Sequence, residues 1–156
     1  MSIAKCYSAH LSGLVAEIVT VEVDISHGLH AVSIVGLGDR AVEEAKDRIC
    51  AAIKNSGYVS PKQKNQKVVI SLAPADIRKE GTAFDLAMAL SYLKATGDVE
   101  FDEQKTIFLG ELSLEGGVRK VAGVLPILCE LKKHGFTHAF IPQDNAEEAS
   151  LADGIS

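Results

Sequence analysis

Apolar and polar residues alternate through the first third of the chain: Ala4-Lys-Cys-Tyr-Ser-Ala, then Ala16-Glu-Ile-Val-Thr-Val-Glu-Val-Asp, then Ala31-Val-Ser-Ile-Val35. A period of two places every second side chain on one face, so these segments predict strands. Leu11-Ser-Gly-Leu and Ser26-His-Gly-Leu supply turns between them, and an antiparallel meander is the expected arrangement. From Asp39 the period lengthens to that of a helix. Val42, Ala45, Ile49, Ala52 and Ile53 fall on one face, with Asp39 as N-cap and Gly57 as the stop. Lys67-Val-Val-Ile-Ser-Leu72 reads as a short buried strand. A second helix is predicted with Thr82 as its cap and Asp85 as the acid of a capping box. Its apolar face is Leu86, Ala89, Leu90 and Leu93, and Gly97 ends it.

Ile107-Phe-Leu predicts another strand, and Glu115-Gly-Gly a hairpin turn before Val118. A third helix follows Gly123, with Pro126 tolerated because it lies in the first turn. Val124, Ile127, Leu128 and Leu131 are its buried face. Thr137-His-Ala-Phe-Ile141 predicts a strand and residues 145–152 a short helix. Strands alternate with helices after residue 30, so the fold class is α/β or mixed α+β, in one domain over residues 1–156. Ala152-Asp-Gly-Ile-Ser156 reads as the approach to a further strand, which predicts that the chain is a piece of a longer protein.

Composition adds few surprises. The chain is 47% apolar and 24% charged, the profile of a folded globular domain. It has no apolar run long enough to cross a bilayer and no basic-then-apolar leader, so a cytoplasmic protein without a membrane partner is expected. Cys6, Cys50 and Cys129 are odd in number and lack CxxC spacing, which predicts buried thiols and no disulfide or zinc framework. The net charge of -5 disfavours a surface that grips nucleic acid everywhere. Positive charge is concentrated, however: Lys54, Lys62, Lys64, Lys67, Arg78 and Lys79 face a single acid, Asp76, in that stretch. A solvated loop is one reading of this run. Contact of Lys62, Lys64, Lys67, Arg78 and Lys79 with DNA or an acidic partner is the other.

Candidate chemistry is sparse. Gly36-Leu-Gly-Asp-Arg-Ala41 fits the GxGxxA dinucleotide pattern after a strand, but Asp39 stands where a pyrophosphate needs positive potential. A glycine turn with an aspartate cap is the simpler reading, and a nucleotide-binding module is the alternative. GxxxxGK[ST] does not occur, so no P-loop for ATP lies in this chain. His27 and His30, and His134 and His138, lack partners at a metal-ligand spacing. Nucleophile candidates are Ser71, Ser91, Ser113 and the cysteines. A Ser-Lys dyad needs a desolvated lysine, and Lys79 and Lys120 both sit among charged neighbours, which predicts solvation.

Three runs then carry a specific resemblance: residues 32–49, Ala51-Ala-Ile-Lys-Asn-Ser-Gly-Tyr58, and Ser71-Leu-Ala-Pro-Ala-Asp-Ile-Arg-Lys-Glu-Gly-Thr-Ala-Phe-Asp-Leu86. With Phe108-Leu-Gly-Glu-Leu-Ser-Leu-Glu-Gly-Gly-Val-Arg and the stretch from Ile141, they make the chain resemble the N-terminal domain of Mg-chelatase-like AAA+ ATPases of the ComM/YifB type. That domain is in turn similar to the Lon peptidase domain, with the fold of ribosomal protein S5 domain 2. The resemblance implies that Ala83 occupies the position of Lon's nucleophile and Leu125 that of its general base, so the peptidase site is degenerate. It implies no catalytic residue, cofactor or metal in this chain. It further implies a following ATPase domain with ATP and Mg, assembly into a hexamer, and action on DNA, as in branch migration during natural transformation. The accessory role is therefore the leading expectation. A Ser-Lys peptidase with relocated catalytic groups is the enzymatic alternative.

Overall fold

The computed structural model describes residues 2–156. β1 (Ser2–Ser12) and β2 (Val15–His27) form a long antiparallel hairpin about the Gly13 turn. β3 (Ala31–Val35) leads into α1 (Arg40–Asn55), and β4 (Gln66–Ala73) into α2 (Asp85–Thr96). β5 (Thr106–Phe108) is followed by a small hairpin of β6 (Glu111–Leu112) and β7 (Val118–Arg119). Then come α3 (Val124–Lys133), β8 (His138–Phe140) and α4 (Ala146–Ala149). The main sheet has the order β3-β4-β2-β1-β5-β8.

The α/β class holds, but the expected meander stops after two strands. β3 does not pair with β2; β4 lies between them, antiparallel to β2 and parallel to β3. The reason is physical: β4 carries a near-continuous apolar run that suits an interior position, whereas β3 is short with Ala31 and Val35 exposed. α1 supplies the crossover that a parallel neighbour requires.

One face of the sheet, carrying Cys6, Val19, Val21, Val23, Ile34, Val68, Ile70 and Leu72, is buried beneath α1 and α2. The other face carries Ala9, Ala16 and Ile107 beneath α3, whose predicted Val124, Ile127, Leu128 and Leu131 are all buried. Helix ends follow the sequence in two cases. Asp39 accepts the Val42 N–H at 2.9 Å and caps α1, and Gly97, in the left-handed region, ends α2.

α2 departs from expectation. Thr82 does not cap it, and its first helical residue is Asp85, preceded by Phe84 without a side-chain cap. The Thr82 hydroxyl donates to Glu111 at 3.3 Å instead, and the Asp85 carboxylate turns into the core toward Arg48 of α1. An internal ion pair outweighs the local capping bond at this point. Cys129 is also a correction: Cys6 and Cys50 are buried, but Cys129 lies on the exposed side of α3.

Candidate functional site

Two of the runs that carry the resemblance, residues 71–86 and 108–119, meet. Gly110 N–H donates to the Ala83 carbonyl at 3.0 Å, and Leu86 N–H donates to the Gly110 carbonyl at 3.1 Å. A Cβ on Gly110 would come within 2.4 Å of the Val118 side chain, so the return of β7 beside this turn favours glycine there, while Leu86 of the facing segment would be at an ordinary contact of 3.5 Å. An open groove runs beside this junction, walled by His10, Asp39, Thr82, Ala83, Lys120 and Gly123.

Ala83 is therefore not inside a helical turn; it precedes α2, half-buried, with its methyl group on the groove wall. Leu125 is half-buried in the first turn of α3 and does not line the groove, although Gly123 and Ile127 of the same segment do. Ala83 packs against the apolar cluster that includes Val124 and Ile127 of α3, and Leu125 is half-buried in the same helix.

His10 and Glu17 are the polar pair that sequence reasoning passed over. They face each other across the β1–β2 ladder, with His10 Nε2 at 3.1 Å from Glu17 Oε2 and the imidazole against the Phe84 ring. The signal in the sequence was the Leu11–Leu14 turn, whose centre brings residues 10 and 17 opposite one another. His10 of this pair lines the groove, but the wall beside it at position 83 carries a methyl group and no nucleophile.

Lys79 overturns another expectation. It is fully buried rather than solvated. Its ammonium donates to the Gly36 carbonyl at 2.7 Å and to the Pro74 carbonyl. Burial pushes its pKa down, while Asp76 and Glu17 pull the other way. Its backbone is also engaged, with Lys79 N–H donating to the Leu37 carbonyl and its own carbonyl accepting the Asp39 N–H, each at 2.9 Å. The lysine thus ties two loops together and cannot take part in a surface patch.

The rest of the basic run divides. Lys67 is the second residue of β4 and Arg78 lies beyond the strand's far end, so the two are on opposite ends of the strand. Lys62 is exposed and pairs with Asp47 at 3.0 Å, a contact that pushes its pKa up. Arg78 is exposed beside Glu80. Lys62, Lys64 and Lys67 remain a local group near the start of β4, with Lys64 half-buried.

At the Gly36–Ala41 turn, Asp39 occupies the place an anion would need. One carboxylate oxygen caps α1, and the other accepts Gly81 N–H at 3.1 Å. The glycines have packing reasons: a Cβ on Gly38 would lie 2.6 Å from Val42. Asp39→Ala is expected to lower stability by about 1–2 kcal/mol, since both N–H groups lose their acceptor. Asp39→Asn should recover part of the loss, because its amide oxygen can still cap; a denaturant midpoint equal to that of the alanine variant would contradict this.

Two other nucleophile candidates are engaged, while Ser71 is half-buried in β4 and Cys129 is exposed on α3. Ser91 is fully buried against Cys6, whose thiol is pushed up to about 12 by burial. Ser113 accepts the Gly117 N–H within its hairpin, and Ser8 is buried with no hydrogen-bond partner among the described residues. Among the described residues no lysine ammonium hydrogen-bonds a hydroxyl or thiol, and no cluster of three His, Cys, Asp or Glu side chains is placed to hold a metal. No helix among them is long and apolar enough to cross a membrane.

Comparison with known proteins gives this geometry its context. Competence protein ComM of Haemophilus influenzae is 38% identical over 152 residues, covering 97% of this chain and 29% of the relative. Protein YifB of Escherichia coli, described as uncharacterized, is 38% identical over 157 residues, covering 99% and 30%. An uncharacterized protein of Mycobacterium tuberculosis is 40% identical over 156 residues, covering 99% and 30%. The chain thus spans about three-tenths of the length of these curated relatives. A protein-family model described as subunit ChlI of Mg-chelatase matches residues 21–145, most of the chain, and the chain belongs to that family.

Proposed function

We propose that this chain is a non-catalytic accessory domain of a longer, cytoplasmic Mg-chelatase-like AAA+ ATPase, and that it supports assembly of a hexameric ring or the handling of DNA by that motor. Competence-linked branch migration or recombination is the process proposed. The observation that supports the reading is Ala83: the resemblance to Lon peptidases puts the nucleophile at this position, and the residue that lines the groove there is an alanine. Leu125, a side chain that can carry no proton, stands at the position that the resemblance gives the general base. ATP and Mg belong to the proposed ATPase part, since Asp39 blocks the one glycine turn here that resembles a nucleotide loop.

Removal of residues 1–156 from the full-length protein is expected to abolish ring assembly or DNA-stimulated ATP hydrolysis, read by sedimentation and phosphate release. A deleted protein that matched the intact one in both would overturn the accessory role.

For contact with DNA or an acidic partner, the proposal narrows to Lys62, Lys64 and Lys67. Replacing all three with alanine in the full-length protein is expected to weaken DNA binding. The slope of log affinity against log salt should also flatten, by about one for each phosphate that is no longer neutralised. Unchanged affinity and slope would remove these residues from the DNA path.

A further inference from the structure

The main sheet ends in β8, and the outer edge of that strand is already partly occupied. Ser156 N–H donates to the Thr137 carbonyl at 2.8 Å, and Ala139 N–H donates to the Ser156 carbonyl at 2.8 Å. These two bonds, from one residue to the positions before and after His138, are the repeat of a parallel ladder. The side chains agree with that geometry. Ile155 packs with Ala139 in the cluster beneath α3. The ladder sets Ser156 level with His138, two positions before Phe140 on the same face of β8.

Two groups on this edge remain unmatched. In a parallel ladder both main-chain groups of one residue face the same neighbour, so the Ala139 carbonyl points outward beside its N–H. Ile141 N–H lies next along the same side and donates to no backbone carbonyl among the described residues. Phe140 is 59% exposed, although it stacks flat on the buried Phe108 ring at 5.1 Å. An aromatic ring stacked on the core but open on its outer side marks a sheet that lacks a neighbour.

We propose that the outer edge of β8 is a strand-docking site, and that its occupant is the segment following Ser156 in the full-length protein, paired parallel to β8 as a seventh strand. In the register begun by Ser156, the second residue past it donates its N–H to the Ala139 carbonyl and accepts from Ile141 N–H. The side chain of that residue lies beside Phe140 and covers its open edge. This rests on the reading that the polypeptide continues into a further part, a reading in keeping with the length of the relatives. Its consequence is mechanical: the connection leaves as an extension of the sheet, so a movement of the following part reaches β8, β5 and β1 directly instead of being absorbed by a slack tether.

Amide hydrogen exchange tests this without ATP or DNA. In the full-length protein the Ile141 amide is expected to exchange on the order of 100-fold more slowly than in the 156-residue chain, where it has no acceptor. Equal rates in the two proteins would overturn the docking site, whether both were fast or both slow. The outcome is separable from the ATPase reading. A full-length protein that protects Ile141 yet neither hydrolyses ATP nor assembles keeps the seventh strand and loses the motor. One that hydrolyses ATP with Ile141 unprotected does the reverse.

Discussion

Replacing Arg48 with methionine is expected to lower stability at neutral pH by about 3–5 kcal/mol, because it strands a buried carboxylate. Arg48 Nε and Nη2 donate to the two oxygens of Asp85 at 2.7 and 3.0 Å, and Nη2 also reaches the Ala41 carbonyl at 2.9 Å. The Asp85 side chain is only 1% exposed. Its remaining partner is Leu112 N–H at 3.1 Å, which ties the β6 hairpin to the same point. One ion pair therefore joins α1, α2 and the β6–β7 hairpin.

The loss should depend on pH in a defined direction. Burial pushes the Asp85 pKa above its ordinary value, and the bonds to Arg48 and Leu112 pull it partly back. Without Arg48 the burial effect is less opposed, so the pKa rises further. A group whose folded pKa exceeds its unfolded pKa contributes stability at low pH that is lost as pH rises through the folded value. The Arg48→Met deficit should therefore shrink as pH falls from neutrality toward the carboxylate range. Chemical denaturation of both proteins across that range reads the effect. A deficit independent of pH would mean that lost packing, not the stranded charge, is responsible. Replacing Asp85 with leucine in the same variant should restore part of the loss at neutral pH, since no buried charge then remains.

The second large effect is expected at Gly36. Gly36→Ala should cost roughly 3 kcal/mol or more and lower the melting temperature by on the order of 10 °C. Its φ is 116°, and an added Cβ would sit 2.1 Å from the Leu72 carbonyl oxygen. That oxygen belongs to β4, whose Leu72 is paired with Val21 of β2 inside the sheet, so it has nowhere to retreat. The Gly36 carbonyl also receives the buried Lys79 ammonium. Gly57→Ala is the control: its φ is 92° but nothing beyond its chain neighbours lies within 4 Å of the added carbon. That variant should lose only about 1 kcal/mol from backbone strain. Equal losses at the two glycines would refute the clash.

Much of the secondary structure was legible because it rests on local physics. The period of two in β1 and β2, the apolar stripe of α1 with its Asp39 cap, and the Gly97 stop require no knowledge of distant residues. Pairing was less legible. β3 and β2 are both alternating strands joined by a turn signal, yet β4 separates them, since only the assembled sheet decides which strand is interior. At α2, Thr82 and Asp85 match a capping box in sequence, but Arg48 lies 37 positions away and claims the acid. A hint existed: Arg48 interrupts the apolar stripe of α1 three residues after Ala45, and a charge there needs a buried partner. Nothing local says which acid that partner is.

The candidate site divides in the same way. An alanine at position 83, where the resemblance puts a nucleophile, could be read from residue identity, but the meeting of Gly110 with the Ala83 backbone could not. Lys79 could not be read correctly, since its neighbours in sequence are charged and its neighbours in space are carbonyl groups. A lysine's solvation is set by the shell around its ammonium, and that shell is assembled from β3, β4 and the loop between β4 and α2. The sequence by itself determined the class of fold, the Asp39 and Gly97 helix ends and the absence of a P-loop, because each depends on residues a few positions apart. Tertiary structure alone decided that β4 enters between β3 and β2, that Asp85 belongs to Arg48, that Lys79 is buried, and that Ser156 docks beside β8. Each of these turns on pairing between distant segments, where burial and hydrogen bonding outweigh local preference.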